Sequence, residues 1–150
     1  MKPQSGFTLL ELMIVVVIVA ILASIAYPAY TDYIIRSRIP EATSALAAKR
    51  VQMEQWYQDN RTYLTGSGDP PPLCNADTTS STTFTISCAT GSVTAEAYTL
   101  QAVGNAGGPM AGFTYTIDQA NSKRSNISRP GWNNPDPNTC WSIRKNGNCS

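Results

Sequence analysis

The chain opens on a block in which apolar positions do not alternate with polar ones at all. From residue 7 to residue 27 only Thr8, Glu11 and Ser24 are more polar than tyrosine. As a helix these residues would be about 31 Å long at 1.5 Å per residue, close to the roughly 30 Å hydrocarbon core of a bilayer. The β-branched run at 14–19 would suggest a strand in water. A lone segment in lipid must instead satisfy its own backbone hydrogen bonds, so the pattern predicts a membrane-spanning helix. After Pro28 helical composition resumes over 29–60. Pro40 interrupts it, removing one backbone hydrogen bond and predicting a gentle bend. Leu46, Lys49, Met53 and Trp56 share one face of this stretch. That face is expected to bury a sheet rather than to line a ligand groove, with the Lys49 stem packed and its ammonium in solvent.

Farther on the period changes to two. Alternation over 82–87, 97–103 and 112–117 predicts three strands, with a shorter fourth near 122–127. The glycine-rich stretch 104–108 separates the second from the third as an antiparallel connection, and Asp69-Pro70-Pro71-Pro72 marks a stiff link from helix to sheet. The expected fold class is α+β: a long N-terminal helix whose apolar half protrudes and whose second half packs on a small antiparallel sheet.

Composition narrows the functions this fold could serve. The chain has 150 residues, 11 cations against 10 acids and no histidine. Without histidine the usual general base, the His-dependent nucleophile pairs and the commonest metal ligand are all missing. A binding, structural or assembly protein is therefore expected, with no enzyme activity, cofactor or metal. Near-neutral charge argues against a chain that coats nucleic acid along its length. The charges are nonetheless unevenly placed. Residues 60–118 carry Arg61 against Asp69, Asp77, Glu96 and Asp118, whereas 119–150 carry Lys123, Arg124, Arg129, Arg144 and Lys145 against Asp136 alone.

Glu11 is the residue that the apolar block does not explain. A carboxylate at mid-helix depth in a bilayer costs about 2.5–3.5 kcal/mol, less near the end. No cation lies between residues 7 and 27 to meet it. Cleavage after Gly6 would create one, the new α-amino group of Phe7, one helical turn away. The run Met1-Lys2-Pro3-Gln4-Ser5-Gly6 followed by Phe7-Thr8-Leu9-Leu10-Glu11 and an apolar helix resembles the class III signal of type IV prepilins. The resemblance implies that prepilin peptidase cuts after Gly6 and methylates Phe7. It also implies that Glu11 sets register in the filament and that Pro28 bends the long helix; Pro40, read above from its missing amide, would add a second bend. The competing readings are a plain anchor and an ordinary signal peptide cut after Ser24-Ile25-Ala26.

The stretches 38–46, 52–63 and 113–118, and the tail with Gly131-Trp132 and Cys140-Trp141, are similar to PilE-like pilins of Gram-negative bacteria. Ala20 departs from the helix-loosening glycine of many family members. The implied organisation is a leader at 1–6, an apolar helix at 7–28 and a periplasmic head at 29–150. The implied partners are other pilin subunits, prepilin peptidase, the pilus assembly platform and the inner membrane. The subunit would wait in that membrane as a single pass with its N-terminus in the cytoplasm, then join an extracellular pilus that supports adhesion, twitching motility or DNA uptake. A type II secretion pseudopilin is the alternative the N-terminus leaves open.

The cysteines at 74, 88, 140 and 149 match no paired zinc knuckle. In an exported domain they read as two disulfides, for which three pairings exist. Cys74–Cys88 and Cys140–Cys149 are favoured, since each closes a short loop and the resemblance implies a C-terminal region closed in that way. DNA is a further candidate partner. Lys123, Arg124, Arg129, Arg144 and Lys145 would attract phosphates while bases stacked on Trp132 and Trp141. The competing reading is charge complementarity between the basic tail of one subunit and the acidic 60–118 surface of another. The sequons at Asn60 and Asn126 are assigned no role.

Overall fold

The computed structural model describes residues 7–149. One helix, α1, spans Leu9–Asn60, and a 3-10 turn covers Pro72–Cys74. Four strands follow: β1 (Phe84–Cys88), β2 (Thr99–Gly104), β3 (Phe113–Asp118) and β4 (Lys123–Ile127). Thr8 starts the helix. Its Oγ1 accepts the Glu11 amide at 3.2 Å and its carbonyl accepts the Leu12 amide at 3.2 Å. Thr8 is thus the N-cap and Glu11 stands at the third helical position, as in a capping box.

Neither Pro28 nor Pro40 ends α1, so the interruption expected at Pro40 is not seen. Each proline removes one amide donor. Around Pro40 the helix is held by burial of Ile39, Ala42 and Leu46, all at most 1% exposed. Hydroxyls engage the proline carbonyls as well: Thr31 donates to Pro28 at 2.9 Å and Ser44 to Pro40 at 2.6 Å.

The chain divides into two compact units between Ile34 and Ile35. In the first, every residue from Phe7 to Tyr30 is exposed. In the second, Ile35, Ile39, Ala42, Ala45, Leu46 and Met53 form a buried stripe. Their spacing follows one face of a 3.6-residue helix. Trp56, expected on that face, is only half-buried, and the face begins instead with Ile35 and Ile39. The Lys49 ammonium does not reach out to solvent as expected: it lies 3.4 Å from the Asp77 carboxylate.

The sheet is an antiparallel meander in the order β1-β2-β3-β4. Its register aligns Ile86, Ala102, Tyr115 and Ser125 in one cross-strand row. Phe84, Leu100, Phe113 and Ile117 join them in a core shared with the α1 stripe. β1 and β2 each begin two residues later than predicted. Thr82 and Thr83 are drawn into hydrogen bonds with α1, and the Ala97 carbonyl closes a turn on the Thr94 amide at 2.8 Å. Gly104 lets the 104–113 connection fold tightly, for a Cβ there would stand 1.8 Å from the Met110 carbonyl oxygen.

Candidate functional site

Two regions carry the sequence-predicted residues. The first is the start of α1. Gly6 lies outside the described residues; Phe7 is 84% exposed. Glu11 is exposed in the first part of α1, where every apolar side chain from Leu9 to Tyr30 is uncovered. The best 18-residue window of α1 has a mean hydropathy of 2.9 with none of it buried. At the third helical position the Glu11 carboxylate also sits in the positive end of the helix dipole. A charge there is less costly than one at mid-span.

The second region is the C-terminal face. Disulfides join Cys74 to Cys88 and Cys140 to Cys149, with Cα–Cα separations of 4.6 and 5.9 Å. The second closes a loop that is fixed to the sheet by polar side chains. Tyr115 donates its hydroxyl to the Ser142 carbonyl at 2.9 Å, Ser125 donates to the Cys140 carbonyl at 3.0 Å, and the Ser142 amide donates to Ser125 Oγ at 2.8 Å. Burial drives the Tyr115 phenol well above its ordinary range, so it remains a hydrogen-bond donor. At the loop's tip a turn closed by the Gly147 amide on the Arg144 carbonyl, 3.1 Å, presents Arg144 and Lys145. Gly147 has φ +77°, and a Cβ there would stand 2.6 Å from the Asn134 carbonyl oxygen.

The outer edge of β4 is covered by amide side chains rather than by a fifth strand. Asn138 accepts the Ser125 amide at 2.9 Å and donates to its carbonyl at 2.7 Å, while Asn134 accepts the Ile127 amide at 2.7 Å. This blunts an edge that would otherwise pair with another chain. Nothing in the asparagine- and proline-rich stretch 133–138 signals it beforehand.

The five tail cations do not act alike. Lys123 and Arg124 start β4 and border a small polar cleft with Ser122, Asn138 and Thr139. Arg124, Arg144 and Lys145 are exposed. Arg129 is partly spent on structure, donating to the Pro109 carbonyl and lying 5.9 Å from the Phe113 ring centre. The expected stacking platforms are not available. Trp132 and Trp141 are 5% and 8% exposed. Trp132 packs edge-on against Phe113 at 5.0 Å, Trp141 Nε1 donates to the Thr116 carbonyl at 2.9 Å, and the Lys123 ammonium lies 4.7 Å over the Trp141 ring. Both indoles were needed by a small core that glycine and proline leave thin. A nucleic acid could meet this face through its phosphates only.

Two carboxylates that the sequence did not single out as sites tie α1 to the sheet side. Glu41 accepts from Ser81, Thr82 and Thr83 at 3.0, 3.2 and 2.9 Å and pairs with Arg38 at 2.7 Å. Desolvation raises its pKa, but Arg38 and the three hydroxyls together outweigh it and lower it to about 2. Glu54 accepts from Tyr98 at 2.8 Å and from Tyr63 at 3.2 Å. Burial and the Glu54 charge push Tyr63 up to about 12, and Tyr98 higher still. Both phenols therefore stay protonated and keep donating.

Comparisons with known proteins agree with this geometry. Residues 1–27 match the prokaryotic N-terminal methylation motif, and residues 28–124 match the model described as type IV minor pilin ComP, DNA uptake sequence receptor. The type IV major fimbrial protein FimA of Dichelobacter nodosus is 46% identical over 67 residues, 45% of this chain and 40% of that protein. The type IV pilus subunit protein TapA of Aeromonas hydrophila is 46% identical over 79 residues, 51% of this chain and 56% of that protein. The alignments thus span about half of these relatives' lengths. In fold the chain is similar to the non-core minor pilin PilV of Neisseria meningitidis, with a TM-score of 0.52 and 17% identity over 65% of this chain and 92% of that one. With a methylation motif leading into a pilin domain that fills most of the remaining residues, the chain belongs to the type IV pilin family of the minor pilin ComP.

Proposed function

We propose that the protein is a minor subunit of a type IV pilus, stored in the inner membrane and drawn into the filament after cleavage between Gly6 and Phe7. The observation that carries this reading is the bare apolar first half of α1 with a single carboxylate in its first turn. In the membrane lipid covers those side chains. In a filament the same helices cover one another, so the exchange costs little apolar exposure. What selects the position is charge. Glu11 regains a partner where it meets the Phe7 α-amine of a neighbour, and a helix one turn out of step leaves the carboxylate unpaired. Pro28 marks the stretch of α1 that opens most easily under tension, because one ladder hydrogen bond is missing there. Glu11→Ala is expected to be cleaved normally, to stay in the membrane fraction and to be depleted from sheared filaments. Incorporation at the wild-type level would contradict the register role.

The family description, together with Arg124, Arg144 and Lys145 exposed on one end of the chain, supports DNA as a ligand of the same subunit. The family match covers residues 28–124 and so includes Lys123 and Arg124. Contact is electrostatic, with the tryptophans behind it as scaffold. On the purified full chain, each phosphate contact removed should reduce the slope of log affinity against log salt by about 0.9. Arg124→Ala and Arg144→Ala should each do so without shifting thermal unfolding. An unchanged slope in both variants would remove DNA from the reading.

A further inference from the structure

Within the unit that begins at Ile35 lies an open groove of about 590 Å³ between the first buried turns of α1 and the Cys140–Cys149 loop. That volume falls within the roughly 300–1,000 Å³ of small-ligand sites. Ile39, Pro40, Trp141 and Ile143 supply its apolar part, and Arg36, Lys123 and Arg144 supply positive charge. Thr43 and Ser44 complete the wall, and among the described residues no carboxylate lines it. The Ser44 hydroxyl is committed to the Pro40 carbonyl at 2.6 Å. Thr43 holds the same carbonyl at only 3.4 Å and is free to turn to a better acceptor. The Lys123 ammonium is steered by the Trp141 ring, 4.7 Å away, and keeps N–H donors for an anion.

Positive charge beside hydrocarbon selects an anionic amphiphile. A guanidinium grips a phosphate through paired N–H donors, and methylenes attached to that phosphate gain by leaving water for the apolar part. A DNA backbone would use the cations but leave the apolar part unfilled. Its bases would find no open ring either, because Trp141 is 8% exposed. The chain also shows where an amphiphile is at hand. Tyr27, Tyr30 and Tyr33 are 64–74% exposed, and tyrosines at the end of an apolar span settle at the headgroup level of a bilayer. Arg36 lies three residues after Tyr33, at most about 11 Å along the chain. It is therefore tethered within reach of lipid phosphates.

We propose that this groove binds the headgroup of an anionic phospholipid while the subunit waits in the membrane. Arg36, Lys123 and Arg144 take the phosphate, and the glycerol backbone with the first methylenes of the chains lies on Ile39, Pro40 and Ile143. The apolar helix then holds the subunit in hydrocarbon, and the groove separately holds the head at the surface. The proposal rests on the pilus-subunit reading and adds to it a contact that the head must give up on leaving the membrane. Each cation near an anionic surface strengthens attachment about five-fold. The anionic lipid content of the membrane thus sets how readily the head is released.

The test is native mass spectrometry of the full chain in a neutral detergent. The chain is titrated with dioctanoyl phosphatidylglycerol, dioctanoyl phosphatidylcholine, glycerol phosphate and a short DNA duplex. One phosphatidylglycerol is expected to bind, several-fold tighter than either phosphatidylcholine or glycerol phosphate. Arg36→Gln and Arg144→Gln should each weaken it about five-fold. Arg61→Gln, the same charge change at an exposed site outside the groove, should not. Ile143→Ser should weaken phosphatidylglycerol and leave glycerol phosphate unchanged. Arg36 is exposed, so its variant keeps the head folded and decides the matter even if Ile143→Ser does not fold. Equal affinity for the two lipids, unchanged affinity in Arg36→Gln, or glycerol phosphate binding as tightly as phosphatidylglycerol would each overturn the lipid site. A duplex that displaces the lipid and is itself weakened by Arg36→Gln would assign the groove to nucleic acid and overturn it too. A chain that is never cleaved after Gly6 overturns the pilus reading, while the titration in detergent still decides the groove.

Discussion

α1 is one helix with two kinds of surface, and the contrast between them explains most of what the protein does. From Leu9 to Ile25 thirteen large apolar side chains are each 51–76% exposed, on every side of the helix. From Ile35 to Met53 six apolar side chains, Ile35, Ile39, Ala42, Ala45, Leu46 and Met53, form one stripe that is at most 9% exposed, and Val51 at 57% lies off it. The second segment completes its folding with its own sheet. The first does not, since fully covering a large aliphatic side chain contributes about 1.5–3 kcal/mol and none of the described residues provides the cover. A helix apolar all round is a request for another environment, lipid or other helices.

The sharpest way to break that contrast is a matched pair of truncations. Leu46→Ala opens a cavity in a side chain that is 0% exposed and should cost the head about 2–5 kcal/mol in denaturant unfolding. Leu22→Ala, 62% exposed before the change, should leave the same transition where it was. The converse variant is Val17→Lys. It places a charge at mid-span, which costs about 2.5–3.5 kcal/mol on insertion scales. It should shift the protein out of the membrane fraction without altering head unfolding.

Two smaller tests concern how the second segment is fastened. Glu54→Leu removes the acceptor shared by the Tyr63 and Tyr98 hydroxyls, leaving partly buried donors unpaired at about 1–3 kcal/mol. Glu41 offers a pH test with a definite sign. Its pKa is lowered from 4.5 in the unfolded chain to about 2 in the folded protein. Its stabilisation is therefore present above pH 4.5 and is lost as pH falls from there towards 2. Glu41→Gln should be less stable than wild type at pH 7 and should lose less on acidification over that window. Equal acid slopes in the two proteins would contradict the assignment.

How much of this was legible in the sequence follows the same division. The apolar block, the α+β class and all four strands were read from local patterns, because period is a local property, while the two disulfide loops drew on short spacing together with the pilin resemblance. Glu11 stood out for a similar reason: it is the one carboxylate in an otherwise apolar run. The pattern failed where a residue's role depends on distant chain. Trp132 and Trp141 looked like stacking platforms and are core, since only the folded sheet shows that Phe113 and Thr116 need them. Lys49 looked like a solvent-seeking cation and meets Asp77, 28 residues away. Asn134 and Asn138 looked like loop residues and seal the β4 edge. Glu41 collects hydroxyls some forty residues downstream, a meeting that no spacing announces. Pro40 costs α1 one backbone donor, and the helix nevertheless runs on through it with Ile39, Ala42 and Leu46 buried around it.

The account turns on a terminus that must be made by cleavage before Glu11 can find its partner. Intact-mass and N-terminal fragment analysis of the chain recovered from sheared filaments tests it directly. The predicted result is a polypeptide that begins at Phe7 with one added methyl group. A chain that still begins at Met1, or that begins at Tyr27, would contradict it.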